Sequence, residues 1–194
     1  IYFEECSIKT YQANKPTILV IGNSQNVAQI RMYERAVEKG FNVILTSAYG
    51  CHIPKRLKTQ NKWRESCNYY QENVIEELVS NLKNGDIVAL ISDFSSFSKS
   101  DNPYLKGFDM SEGSILVDGK PSNNRLRNYE FVQGINNLAK QLDSMGVSIV
   151  VQHMGPLTRG LPNIKECAPL FKWQKKSCKY QSKSEHLKAR KNFE

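Results

Sequence analysis

Short apolar runs alternate with segments of helical periodicity along the chain. The runs contain few polar residues, which is typical of strands in a parallel sheet covered on both faces. They are TILVIG (17–22), FNVILTS (41–47), DIVALIS (86–92) and GVSIVVQ (146–152). This alternation predicts an α/β fold in three layers, with a doubly wound parallel sheet whose carboxyl edge forms the ligand crevice.

Three amphipathic helices are predicted between these strands. The first starts directly after Ser24 and ends at Gly40, the second spans about residues 65–84, and the third spans about residues 124–145. Apolar residues at helical spacing mark the buried stripe of the first two helices. They are Val27, Ile30, Tyr33 and Ala36 or Val37 in the first, and Tyr70, Val74, Leu78 and Leu82 in the second.

The composition fits one domain. The chain has 194 residues, of which 40% are hydrophobic and 24% charged, and no apolar run approaches the roughly 18 residues that span a bilayer. Residues 1–194 are therefore interpreted as a single domain. Residues 93–123 are predicted to be an insertion over the site, with a small hairpin turning at Asp118–Gly119.

The net charge of +8 is concentrated near the end of the chain. Residues 172–191 hold eight lysines and arginines against one glutamate, so this basic segment accounts for +7 of it. We interpret the segment as a solvated polar helix, with contact to a polyanion or to lipid headgroups as the alternative. No motif that reads bases or cradles phosphates accompanies it, so a nucleic-acid partner is not expected.

Five cysteines do not have the spacing of a zinc site, and the three histidines are scattered, so no metal is expected. Two local pairs, Cys51 with Cys67 and Cys167 with Cys178, are disulfide candidates that would favour an oxidising compartment. Reduced thiols in the cytosol remain the alternative, and Cys6 has no obvious mate.

Ser24 follows the first predicted strand at the carboxyl edge of the sheet. Free backbone N–H groups and the positive end of a helix dipole favour an alkoxide or oxyanion there. By itself the stretch GNS (22–24) favours an ordinary strand-turn-helix in which Ser24 is the N-cap.

Three further stretches, read together with Ser24, resemble a known family. They are LTSAYGCHIP (45–54), CNYYQENVIEEL (67–78) leading into GDIVALISDFSSF (85–97), and GVSIVVQHMGPLTRGLPNIKEC (146–167). In order and spacing the chain is similar to the SGNH hydrolase-like domain fused to membrane-bound acyltransferases of the acyltransferase 3 family. The resemblance covers about residues 15–190 and implies a flavodoxin-like SGNH hydrolase fold.

The resemblance implies that Ser24 is the acyl-accepting nucleophile and that the N–H groups of Ser24 and Gly50 bind the oxyanion. Asn23 stands where the family has Asp, and Gln25 stands where it has His. Asp93 occupies the region in which related hydrolases place a third oxyanion donor. An ionised carboxylate cannot donate a hydrogen bond, so Asp93 is expected to hold a sugar hydroxyl or to cap a turn.

A catalytic base is missing from this pattern. The family takes its histidine and carboxylate from a D-x-x-H motif near its C-terminal end, and these 194 residues contain no D-x-x-H. His153 follows the fourth strand and is expected to line the cleft, His52 is expected in a loop, and His186 lies in the basic segment. The expectation is a chain cut from a longer protein, without its last strand and helix.

The implied function is serine-dependent transfer of an acetyl or other short acyl group to a sugar hydroxyl of a cell-surface polysaccharide. No cofactor is expected to bind this domain directly. Acetyl-CoA is the implied acyl donor, acting through a membrane acyltransferase domain in the same full-length chain, and the implied location is extracytoplasmic. The alternatives are a carbohydrate esterase of the same mechanism and a non-catalytic glycan-binding domain.

Overall fold

The computed structural model describes residues 3–27, 29–60, 64–91 and 115–152, with the backbone alone at Ser24, Gln25 and Asn124. All of them belong to one compact unit, formed by residues 1–93 and 110–153. The basic segment 172–191 and most of the predicted insertion 93–123 lie outside the described residues.

In the described part of this unit, seven strands form two sheets. They are β1 Thr17–Gly22, β2 Asn42–Ser47, β3 Leu57–Thr59, β4 Ile87–Ile91, β5 Ile115–Val117, β6 Lys120–Pro121 and β7 Ser148–Val151. The larger sheet is parallel, in the order β2-β1-β4-β7, and Gly22 at the end of β1 pairs with Ser47 and Ile91. The smaller sheet is antiparallel, in the order β3-β5-β6.

Six α-helices complete the described unit. They are α1 Phe3–Cys6, α2 Ser24–Val27, α3 Ile30–Glu38, α4 Arg64–Tyr69, α5 Ile75–Ser80 and α6 Asn124–Ser144. A π-helical turn, Tyr70–Val74, joins α4 to α5.

Helices cover β1 at the centre of the parallel sheet on both faces, as its unbroken apolar run predicted. The same prediction was wrong for the edge strand β7, where Val150 is 54% and Val151 38% exposed. Leu19 and Ile21 of β1 pack with Leu78 of α5 and Leu142 of α6 in one core cluster. On the opposite face, Val20 packs in a second cluster with α3. The three-layer α/β fold predicted from the sequence is confirmed.

The first predicted helix is broken, so its prediction as one continuous helix was wrong. Helix α2 ends at Val27 and α3 begins only at Ile30. Val27 and Ile30 were expected on the core face but are 55% and 37% exposed, whereas Tyr33 is buried. The reason lies at Asn26, whose backbone carbonyl accepts hydrogen bonds from the Gln29 N–H (3.1 Å) and the Tyr33 hydroxyl (3.1 Å). These bonds close a tight turn instead of extending the α-helix.

The hairpin predicted at Asp118–Gly119 is present between β5 and β6. Both residues have positive φ, 50° at Asp118 and 78° at Gly119, which is the backbone of a type I′ turn. The Asp118 carboxylate pairs with the Arg56 guanidinium next to β3. This hydrogen bond holds the pKa of the Asp118 carboxyl below its ordinary value.

A disulfide joins Cys51 to Cys67 with a Cα–Cα distance of 5.2 Å, which confirms that predicted pair. The second candidate pair, Cys167 and Cys178, lies outside the described residues. Cys6 is a free, half-buried thiol. Among the described residues, no group of three or more His, Cys, Asp and Glu side chains could hold a metal ion. Within those same ranges, no helix is long and apolar enough to cross a bilayer.

Removal of the Cys51–Cys67 bridge should destabilise the domain by about 3 kcal/mol, because the cross-link restricts the unfolded chain between residues 16 positions apart. The test is urea unfolding of the Cys51→Ser/Cys67→Ser variant against the parent protein. The matched control is Cys6→Ser, which removes an unbridged thiol and should cost less than about 1 kcal/mol. Equal stability of the parent and the double variant would contradict the prediction.

Candidate active site

Gly22 ends β1 where no side chain fits. A Cβ atom placed on it would lie 1.9 Å from the carbonyl oxygen of Ile91 in β4 and 2.9 Å from Cβ of Asn26. The sequence therefore needs glycine here for close backbone approach. Because β1 meets β4 this tightly, the following turn and the start of α2 lie directly against the carboxyl edge of the sheet.

Asn23 fixes this turn to both neighbouring strands. Its N–H donates to the Ile91 carbonyl of β4 (3.3 Å), and its carbonyl accepts from the Ser47 hydroxyl of β2 (2.7 Å). The same carbonyl accepts from the Asn26 N–H (3.0 Å). The structure places Asn23 at the carboxyl edge of the sheet with only 8% of its surface exposed. Its predicted role in lining the site stays a prediction.

Asn26 supports the turn from inside the protein. Its side chain is fully buried, and its Nδ2 donates to the Thr46 carbonyl of β2 (3.0 Å). The Tyr33 hydroxyl reaches both the carbonyl and the side-chain oxygen of Asn26. Burial raises the pKa of Tyr33 to about 12, so the hydroxyl stays protonated and acts as a donor at neutral pH.

Tyr70 lies beneath the same turn. Its buried hydroxyl is 3.3 Å from the Gly22 carbonyl and 3.2 Å from the Thr46 carbonyl, so one proton is shared between the ends of β1 and β2. Burial raises the pKa of Tyr70 well above its ordinary value, which keeps this donor neutral. The π-helical turn begins at Tyr70, and such bulges are frequent at functional sites.

The Gly50 loop follows β2 beside the Ser24 turn. The Ala48 N–H donates to the Gly22 carbonyl (3.2 Å), and the Cys51 N–H closes the loop onto the Ala48 carbonyl (3.3 Å). Gly50 has a φ of 68°, which glycine adopts without strain. Within the described ranges, no backbone carbonyl accepts from the Gly50 N–H.

The remaining predicted site residues, Asp93 and His153, lie outside the described residues, as does His186. The strands that precede Asp93 and His153, β4 and β7, end at the same carboxyl edge as β1. The chain passes from β2 on one side of β1 to β4 on the other, and such a switch point is where doubly wound sheets bind ligands. His52 lies in a loop, as predicted, and is buried.

Sequence reasoning missed the residues that hold the turn. Tyr70 was predicted only as one residue of a buried helical stripe, and Asn26 and Ser47 received no role. Asn26 did carry a signal, since asparagine is a poor residue for the interior of a helix and favours caps and turns. No comparable signal marked Tyr70, because periodicity gives the face of a helix but not the partner of a hydroxyl.

The family model for the SGNH domain (fused to AT3 domains) matches residues 2–193. The chain belongs to this family. The SGNH assignment identifies a hydrolase-like domain for acyl transfer or ester hydrolysis. Fusion to AT3 domains supports a membrane acyltransferase domain in the same polypeptide, and with it tethering to a membrane. No curated protein and no solved structure matches the chain.

Substitution Gly22→Ala should destabilise this SGNH domain by about 3 kcal/mol or more, because a methyl group would overlap the Ile91 carbonyl oxygen. The matched control is Gly40→Ala. Gly40 has open space around it and a φ of 97°, so only backbone strain of about 1–2 kcal/mol is expected. Urea unfolding of both variants measures the difference. If Gly22→Ala lowers the free energy of unfolding no more than Gly40→Ala does, the close approach of Gly22 to the Ile91 carbonyl is contradicted.

Proposed function

We propose that Ser24 of this SGNH domain accepts an acetyl or other short acyl group and passes it to a hydroxyl of a cell-surface polysaccharide. The observation that carries the proposal is the turn from Gly22 to Ser24. Side chains and backbone groups of the neighbouring strands hold it at the carboxyl edge of the sheet, one strand away from the Gly50 loop. A nucleophile needs such a fixed position to stay in line with its substrate.

In the first step, the Ser24 hydroxyl oxygen attacks the carbonyl carbon of the acyl donor while a base takes its proton. The tetrahedral intermediate collapses to an acyl-serine and releases the donor's leaving group. In the second step, a sugar hydroxyl attacks the acyl-serine, which returns the Ser24 hydroxyl and yields the acylated sugar. With water in place of the sugar, the same two steps are ester hydrolysis.

Two backbone donors are proposed to stabilise the oxyanion of both intermediates. They are the N–H of Ser24, at the first position of α2, and the N–H of Gly50 in the adjacent loop. Donors fixed before the reaction lower its barrier because they need no reorganisation when the negative charge develops.

A serine attacks at neutral pH only with a base beside it, most often an imidazole held by a carboxylate. The resemblance assigns that pair to a D-x-x-H motif, which residues 1–194 do not contain. Asp93 and His153 are proposed to line the cleft, since each follows a strand that ends at this edge.

The acyl group is proposed to come from acetyl-CoA through the fused membrane domain, and the SGNH domain is proposed to lie outside the cytoplasm. The Cys51–Cys67 bridge supports this location, because disulfides persist in oxidising compartments. No cofactor bound to the domain itself is part of the proposal.

Substitution Ser24→Ala in the full polypeptide, membrane domain included, should lower acyl transfer by about a thousandfold or more, because no acyl-serine can form. The measurements are transfer of labelled acetyl groups to polysaccharide and release of acetate into water. Their ratio in the parent protein separates a transferase from an esterase.

The matched control for Ser24→Ala is Ser80→Ala, which removes an exposed hydroxyl at the end of α5. This variant should keep the parent activity. Both variants should unfold at the parent's urea concentration. A folded Ser24→Ala variant with full activity in both assays would refute the assignment.

A further inference from the structure

A cavity of about 470 Å³ lies between α6 and the segment formed by the π-helical turn and α5. Its volume is in the range of small-molecule sites. The floor is apolar and continuous with the core. It is formed by Ile53, Ile75, Val79 and Leu138. We call this cavity the α5–α6 groove. Among the described residues that line it, none is assigned to the acyl-transfer site.

One wall of the groove is a stripe on α6 with a repeat of four residues. It consists of Tyr129, Gln133, Asn137 and Gln141. Residues four apart share one face of a helix, and the stripe extends for about 18 Å along the axis. Tyr129 is 58% exposed. Within the described ranges, the three amide side chains make no hydrogen bond, so each has an NH₂ donor and a carbonyl acceptor to offer.

The charged side chains of the groove lie on both walls and are already neutralised. The Lys55 ammonium pairs with the Glu76 carboxylate, and the Arg56 guanidinium pairs with the buried Glu130 carboxylate at 2.7 Å. Arg56 also pairs with Asp118 outside the groove. Each charged side chain among the described residues that line the groove is thus in an ion pair, and an ionic ligand would find no unpaired partner there. These pairs favour an uncharged ligand.

The groove is held in shape before any ligand arrives. The Gln71 amide nitrogen lies within hydrogen-bond distance of the carbonyls of His52 (2.7 Å), Pro54 (3.1 Å) and Leu57 (2.9 Å), and the Cys51–Cys67 bridge anchors the same loop. At Gly134, a Cβ atom would lie 2.5 Å from Cβ of Pro54, so α6 packs directly on this loop. A preformed groove avoids the entropic cost of ordering its walls on binding.

We propose that the α5–α6 groove binds a neutral oligosaccharide. The Tyr129 ring would stack on the apolar face of one sugar, and the amides of Gln133, Asn137 and Gln141 would bond hydroxyls of the next units. Each sugar hydroxyl is both a donor and an acceptor, as is each amide group. An aromatic ring with a polar tip presents the flat apolar surface that a sugar ring can cover. The length of the stripe fits a chain of several sugars better than a monosaccharide.

The site is distinct from Ser24 and needs no acyl chemistry, so it goes beyond the proposed function and is tested without it. The probes are maltohexaose, cellohexaose and N-acetylchitohexaose. Isothermal titration calorimetry of the full polypeptide in detergent measures their binding. At least one of the three should bind with a measurable Kd.

Variants on α6 locate the binding. Tyr129→Ala and Asn137→Ala should each weaken it by at least about threefold to tenfold, through loss of stacking and of hydrogen bonds respectively. Asn136→Ala is the matched control, since it removes the same amide from an exposed position next to the stripe that does not line the groove. It should bind like the parent, and circular dichroism should show all variants equally folded.

Ser24→Ala separates this proposal from the one on acyl transfer. Since Ser24 is not in the groove, this variant should bind the probe like the parent even though it transfers no acyl group. The proposal is overturned if none of the three probes binds, or if Asn137→Ala and Asn136→Ala bind equally well. It is also overturned if Ser24→Ala abolishes binding that Tyr129→Ala and Asn137→Ala leave intact.

Discussion

The carboxyl edge of the sheet depends on the close approach of two backbones at Gly22. A Cβ atom placed on Gly22 would lie 1.9 Å from the Ile91 carbonyl oxygen, so β1 and β4 leave no room for a side chain at this position. This constraint lets the Asn23 N–H reach β4 while the Asn23 carbonyl is held by Ser47 of β2. The start of α2, which carries Ser24, is therefore fixed by bonds to two strands and not by its own four residues.

Shared acceptors make this edge one connected unit. The Gly22 carbonyl accepts from the Ala48 N–H and lies next to the Tyr70 hydroxyl, which also reaches the Thr46 carbonyl. Thr46 in turn accepts from the Asn26 amide. The network ties the Ser24 turn, the Gly50 loop and the π-helical turn together, and buried polar networks of this kind stiffen a site when every member is satisfied. Gln71, which follows Tyr70 in the π-helical turn, holds the loop that borders the α5–α6 groove.

The sequence alone predicted the features that leave a local signal: hydrophobic spacing, a turn dipeptide or a pair of nearby cysteines. The four parallel strands, the α/β fold, the Asp118–Gly119 hairpin and the Cys51–Cys67 bridge were all predicted and are confirmed. The break between α2 and α3 was not predicted, because Val27 and Ile30 have helical spacing whether or not they are buried. The contacts of Tyr70 and Asn26 depend on tertiary hydrogen bonds, which leave no periodic trace. The role of Ser24 is still a prediction, since it rests on family resemblance together with this geometry.

The most direct test of the account is to locate the covalent intermediate. The full polypeptide is treated with a fluorophosphonate, which reacts with activated serine hydroxyls, and the modified peptide is identified by tandem mass spectrometry. The account predicts a single stoichiometric adduct on Ser24, and its loss when an acyl donor is added first. Modification of a different serine, or an active protein in which Ser24 stays unmodified, would contradict it.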